Sequence, residues 1–226
     1  MKKVVLMVMM MVAMVVVVAC TPKTQNTDAD QMSGSVTDTG SVASGAVEND
    51  EEVVVEDGTN VIDVENSLVT RKGKKVTGEH YGRVTIASGE VVVADGMPSE
   101  GVIVMDMTTI TVDDQKENDA VLNHLKSDDF FNVETNPTST MVIKSFEAVE
   151  GEDNTYTATA DLTIKGITNE VTFPATFSDD LSSATATIQI DRTLRDIKFR
   201  SAKFFNDLKD SAIDDVFTLD IEVSFE

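Results

Sequence analysis

The stretch Thr155-Tyr156-Thr157-Ala158-Thr159-Ala160-Asp161-Leu162-Thr163-Ile164 alternates without a break. Tyr156, Ala158, Ala160, Leu162 and Ile164 fall on one side, and four threonines and Asp161 on the other. Successive side chains of a strand point to opposite faces, so this is a strand with one buried and one wet face. Lys165-Gly166 follows as a turn, where glycine relieves the backbone. The same rule then runs to the end of the chain. Val171, Phe173, Ala175 and Phe177 obey it, as do Ala184, Ala186, Ile188 and Ile190, and finally Phe217, Leu219, Ile221, Val223 and Phe225.

Working back toward the N-terminus, further strands are expected over Val61–Val69, Val76–Ala87, Glu90–Ala94, Val102–Val112 and Met141–Val149, with a turn at Asp95-Gly96. Helix is scarce. Asn118–Leu125 fits two turns, Ser127-Asp128-Asp129 has the chemistry of another helix start, and Phe204–Leu208 fits a third short piece. Eight or nine strands joined mostly by short turns, with no βαβ rhythm, define an all-β fold: an antiparallel barrel or sandwich.

The buried faces carry small residues where a packed core usually holds Leu or Val. Ala158, Ala160, Ala175, Ala184 and Ala186 lie on three successive strands. An eight-stranded barrel is just wide enough to be filled by side chains or to hold one small ligand. The alanines therefore leave two outcomes open. Either a lengthwise void is walled by Phe173, Phe177 and Phe217, or opposing Phe and Met side chains close it.

The first sixty residues are of different material. Lys2 and Lys3 precede an uncharged run, Val4–Ala19, which is shorter than the ~20 residues that cross a bilayer and reads as an export signal. It ends in Val17-Val18-Ala19-Cys20, which resembles the lipobox of bacterial lipoproteins. The resemblance implies cleavage before Cys20 and lipidation of its thiol, the one cysteine of the chain. Thr21–Asn60 holds nine acids, one base (Lys23) and no aromatic residue. So little apolar surface cannot offset chain entropy, and a disordered, self-repelling linker is expected, with Val53-Val54-Val55 as an optional edge strand. The expected organisation is a signal peptide over 1–19, the lipid-anchored Cys20 and acidic linker over 20–57, and a β-barrel domain over 58–226.

Composition excludes several classes. The 226 residues carry 40 acidic and 18 basic side chains, a formal charge of −22. Nucleic acid binding needs clustered Lys and Arg to neutralise phosphates, so nucleic acid is not an expected partner. One cysteine and two histidines offer little for a zinc site. Asp113, Asp114, Glu117 and Asp119 cluster, but the sharp-turn glycine of a calcium loop is missing and His124 stands where such a loop needs a bidentate glutamate. No nucleophile–base pairing stands out, so neither catalytic residue nor metal is expected.

Several segments together resemble the YceI family. These are Gly73-Lys74-Lys75-Val76-Thr77-Gly78-Glu79-His80-Tyr81-Gly82, Val104-Met105-Asp106-Met107-Thr108-Thr109-Ile110, His124-Leu125-Lys126-Ser127-Asp128-Asp129-Phe130-Phe131, Asp161–Val171, and Asp191-Arg192-Thr193 with Phe204-Phe205 behind it. They occur in family order and cover about Val61–Glu226. The resemblance implies a lipocalin-like, antiparallel eight-stranded barrel with one or two short helices around a long hydrophobic cavity. It also implies an exported protein that binds isoprenoid or other long-chain amphiphilic lipids. Two positions depart from the family pattern. Val69-Thr70-Arg71 stands where a V-x-W strand is usual, and Asn136 stands where Tyr usually precedes the proline.

On this reading the expected ligand is an isoprenoid quinone, polyprenyl lipid or fatty acyl compound, with no other cofactor. The expected lining is Ile86, Met105, Met107, Met141, Ile143, Ala158, Ala160, Phe173, Ala175, Ala186, Ile188, Leu219 and Ile221. His80, flanked at alternate positions by Gly78 and Gly82, and Arg192 are headgroup candidates; His124 is expected to tie its helix to the barrel. Partners are the lipid and a membrane reached through lipidated Cys20, with a homodimer left open. Thr21, rather than an aspartate, after Cys20 favours the outer membrane of the cell envelope. The competing reading is a structural envelope lipoprotein with a filled barrel; an enzyme acting on lipid ranks last.

Overall fold

A computed structural model describes residues 56–114 and 119–226. The export signal, Cys20, Val53–Val55 and most of the linker lie outside the described residues. Eight strands form a closed antiparallel barrel in sequence order: β1 (Gly58–Lys75), β2 (Gly78–Ala94), β3 (Met97–Asp106), β4 (Thr138–Ala148), β5 (Thr155–Ile164), β6 (Ile167–Phe177), β7 (Ser183–Asp191) and β8 (Val216–Phe225). β1 pairs back onto β8, for example Val69 with Ile221 and Arg71 with Leu219. Closure leaves no free sheet edge.

The expected strands Val76–Ala87 and Glu90–Ala94 are one continuous strand, β2. Its register against β3 shifts between Ile86 and Ser88, and Gly89 lets the two strands approach, since a Cβ there would meet the Val102 carbonyl and the Ile62 side chain. β3 starts five residues earlier than the expected Val102 and stops at Asp106, whose side chain accepts from the Thr108 N–H and opens a 3-10 turn, Met107–Thr109. β1 is interrupted where the Asp63 carboxylate accepts from the N–H groups of Glu65 and Asn66, which shifts its register against both neighbours.

One helix of the expected set forms, α1 (Asp119–Lys126). The two other expected helical pieces are turns. The Ser127 hydroxyl does not cap a new helix; it donates to the carbonyl of His124 behind it. The backbone then reverses through Asn132 at φ 46°. Residues 204–208 are likewise irregular, with a 3-10 turn just after them at Lys209–Ser211.

Inside the barrel, parity puts Ala158 and Ala160 on the inner face, fully buried. In register, Ala158 stands between Phe146 of β4 and Phe173 of β6, and Ala160 between Ile143 and Val171. The large neighbours close the space the alanines leave, so of the two outcomes left open the interior around β5 is the filled one and not a continuous lengthwise void. At the β5 start, the rings of Phe146, Tyr156, Phe177 and Phe225 meet with centroids 5.5–6.4 Å apart and plug that end.

The wall is uneven. β5 and β6 pair along ten residues, β6 and β7 along three, Ala175–Phe177 with Ala184–Ala186. Pro174 has no N–H to give a ladder, and the β6–β7 pairing stops one residue after it. Beyond that point the 3-10 turn Arg192–Arg195 covers β6, with the Asn169 amide donating to the Leu194 carbonyl.

The β5–β6 hairpin turns on Lys165 and Gly166 at φ 53° and 72°, the double positive φ of a type I′ turn. Gly166→Val should lower stability by about 1–3 kcal/mol. The check is a shift of the denaturant midpoint with the slope of the transition unchanged.

Candidate functional site

Four spaces follow one another along the barrel axis. The innermost, about 40 Å³, is bordered by Ile62, Ile143, Phe173, Ala175, Phe177, Ala184, Ala186, Ile221 and the plug residues Phe146 and Phe225. The next, also about 40 Å³, is bordered by Val69, Arg71, Met105, Met107, Phe131, Ser139, Leu162, Phe217 and Leu219. Met141 borders both and is the partition between them. Arg71, Phe131 and Phe217 separate the second from a third, about 60 Å³. Arg71, Gly73, Leu125, Phe130 and Ile213 in turn separate the third from a mouth pocket of about 380 Å³ beside α1. Each inner void has room for only a few water molecules, so the path is continuous in position but divided by side chains.

The expected lining residues separate into two groups. Met105, Met107, Met141, Ile143, Phe173, Ala175, Ala186, Leu219 and Ile221 border the inner voids. Ile86, Ala158, Ala160 and Ile188 are buried and border none of the four spaces, because neighbouring side chains cover them.

Of the two headgroup candidates, His80 does border the mouth. Its Nδ1 lies 2.7 Å from Asp114 Oδ2, and the other oxygen of Asp114 accepts from the Tyr81 N–H at 3.1 Å. Arg192 borders the third space, but its guanidinium is already engaged. It donates from Nε to the Asp214 carbonyl, from Nη1 to Ile197 and from Nη2 to Ile213, at 2.8–3.0 Å, and lies 3.6 Å from Asp215. It ties the 197 and 213–215 segments together over the β7 end. His124 packs edge-on against Phe199 and Phe130, with centroids 4.3 and 5.2 Å away, and so docks α1 on the barrel mouth.

A residue that sequence reasoning noted only as a departure proves central. Arg71 is 7 % exposed, faces inward, and borders three of the four spaces. Its Nη2 donates to the Thr111 carbonyl, while its buried Nε has no acceptor among the described residues. Opposite it on β2 is Gly82, where a Cβ would collide with the Thr111 carbonyl and with Nη2 itself; the glycine makes room for the guanidinium. Burial pushes the Arg71 pKa down to about 10 against the opposing pull of Asp114 and Asp113, so the group is still a cation at neutral pH. The legible signal was parity, since Val69, Arg71, Gly73 and Lys75 share one face of β1.

The segment behind Arg71 is held by its own carboxylates. Asp113 accepts from Arg83 Nε and from the Thr111 hydroxyl, both at 2.8 Å. Burial opposes ionisation of Asp114, but the His80 and Tyr81 hydrogen bonds outweigh it and hold its carboxyl below the usual range. Among the described residues no group of His, Cys, Asp and Glu has the arrangement of a metal site.

A closed up-and-down barrel of eight strands with an apolar interior and one wider end is the lipocalin-like class. The chain belongs to the YceI-like domain family, which matches residues 60–225. No curated protein matches it in sequence. Similar solved structures include BcnA of Burkholderia cenocepacia, 19% identical with a TM-score of 0.58, covering 72% of this chain and 98% of that one. Another is a polyisoprenoid binding domain from Saccharophagus degradans, 14% identical with a TM-score of 0.54, covering 76% of this chain and 99% of that one. At these identities the likeness bears on the fold.

A depressed carboxyl pKa stabilises the folded chain above the unfolded value and stops doing so as pH falls through the folded one. Asp114→Asn should therefore lower stability at neutral pH. The gap between variant and parent should shrink below about pH 4 and close once Asp114 is protonated in the folded chain as well; denaturant titrations between pH 2.5 and 7 read it.

Proposed function

We propose that this barrel carries one long-chain amphiphilic lipid, an isoprenoid or fatty acyl compound, with its tail in the divided interior and its head at the mouth. The observation that carries the reading is the row of apolar spaces running from the mouth pocket past Phe131 and Met141 to the aromatic plug. The likeness in fold to a polyisoprenoid binding domain supports it.

Uptake requires partitions to move, and magnitudes favour it. Burying a ten-carbon tail returns about 8 kcal/mol at ~0.8 kcal/mol per CH₂. Pushing a side chain well off its rotamer costs about 0.5–1.5 kcal/mol, and Met141, with its flexible thioether, moves readily. Even three displaced side chains leave a surplus. No bond is made or broken, so the role is binding for storage or transport, not catalysis.

The N-terminal residues extend the proposal. An export signal over 1–19 and lipidation of Cys20 would tether the barrel to the cell envelope, with the outer membrane favoured, and the acidic linker over 20–57 would hold it off the surface. Several acyl chains anchor durably. Cys20→Ser should move the protein from the membrane pellet to the soluble or unprocessed fraction, read by fractionation and intact mass.

The small inner voids favour a second reading, a structural envelope protein with a filled barrel. Mass spectrometry of a solvent extract of the purified full chain separates the two. Carriage predicts a long-chain lipid near one per chain; an empty extract favours the filled barrel. Gly73 faces the mouth with none of the described residues within 4 Å of a Cβ built on it, so Gly73→Phe should plug the entrance and cut lipid recovery several-fold with the melting temperature nearly unchanged.

A further inference from the structure

The mouth of the barrel contradicts the rest of the surface. In a chain of formal charge −22, the mouth pocket is bordered by Arg71, Lys74, Lys75 and Arg200, with His80 and His124, and by no Asp or Glu among the described residues. A cleft of one sign with low-dielectric walls concentrates ions of the other. At its floor, where pocket and inner voids meet, Arg71 buries a cation with its Nε–H unused. The carboxylates that face it electrostatically, Asp113 and Asp114, are engaged elsewhere, with Arg83 and Thr111 and with His80 and Tyr81. Asp129 lies 3.7 Å from His124, too far for a hydrogen bond. A buried donor without an acceptor is costly. Arg195 also buries orphan donors, but it borders none of the four spaces; Arg71 borders three.

We propose that the barrel mouth is an oxyanion site: the lipid's head is a carboxylate or a phosphate, received by Arg71 at the floor and drawn in by the Lys74, Lys75 and Arg200 rim. The oxyanion takes the Nε–H, and the tail continues past Phe131 and Phe217 into the barrel. Neutral heads such as alcohols and quinones gain nothing from this arrangement. The inference rests on the carriage reading above and narrows its substrate class.

Native mass spectrometry of the full chain, offered equal concentrations of laurate, dodecyl phosphate and dodecanol, tests it, since the three adducts differ in mass. One or both anions should exceed dodecanol by roughly tenfold or more, the weight of a charge-assisted hydrogen bond, and the stronger of the two identifies the head as carboxylate or phosphate. Arg71→Met should bring the anion-to-alcohol ratio near one while dodecanol binding persists. Arg71→Lys, which keeps charge but loses the Nε–H, should give an intermediate ratio and serves should the methionine variant not fold. Lys74→Gln with Lys75→Gln, on the rim, should reduce the ratio and its salt dependence.

Equal uptake of dodecanol by the parent chain, or an unchanged ratio in both Arg71 variants, overturns the oxyanion site and leaves carriage standing. Inorganic phosphate binding as readily as dodecyl phosphate overturns the amphiphilic head. Binding of no twelve-carbon compound overturns both the site and the carriage reading.

Discussion

The hydrogen bonds that join β1 to β8 are the constraint from which the rest follows. They convert a sheet with two edges into a tube, and in a tube the direction of each side chain is settled by parity. Val69, Arg71, Gly73 and Lys75 cannot turn outward without reversing their neighbours. The chain therefore places a guanidinium inside a largely apolar barrel, and the surroundings accommodate it: Gly82 opposite gives it width, the Thr111 carbonyl takes one donor, and the Thr111–Asp114 segment is clamped along β2 by its own polar contacts.

The interior combines two kinds of material. Branched and aromatic side chains, Ile143, Phe173 and Ile221 among them, hold fixed shapes. Between them stand Met105, Met107 and Met141, which fill space without insisting on a shape. A void of about 40 Å³ on either side of Met141 is a poor fit for any chain in a fixed structure, and an adjustable one where the dividing residue is a thioether. Polarity is graded in the same direction as width. The plugged end is aromatic, the middle aliphatic, the open end cationic. An amphiphile has one orientation that suits this gradient.

Most of the fold was legible because alternation is a property of single strands. Thr155–Ile164 and Val216–Phe225 announce themselves residue by residue; their number and short turns leave barrel and sandwich both open, and only the resemblance to the YceI family pointed to closure. What escaped were features set between strands. β2 reads as two strands because Ser88-Gly89 breaks the hydrophobic pattern, whereas in the barrel Gly89 allows close approach to β3. Ala158 and Ala160 leave void and filling both open because the sequence does not show that Phe146, Phe173 and Ile143 are their neighbours in register. Arg192 reads as a headgroup candidate because the three carbonyls it binds are remote or local backbone groups, invisible in side-chain chemistry. Arg71 was visible only as a departure from the family pattern, two residues past the expected end of its strand, and its burial depends on Gly82 and Thr111, eleven and forty positions away.

Pro174 also has a mechanical consequence. A hoop under outward pressure yields where its fastening is weakest, and this hoop is fastened by three rungs between β6 and β7 against ten between β5 and β6. The least-fastened seam of the tube is therefore the one beside Pro174, and past its three rungs residues 192–195 carry the wall on, with Asn169 reaching the Leu194 carbonyl. A single imino acid, by withholding one proton, sets where the cask's seam is thinnest.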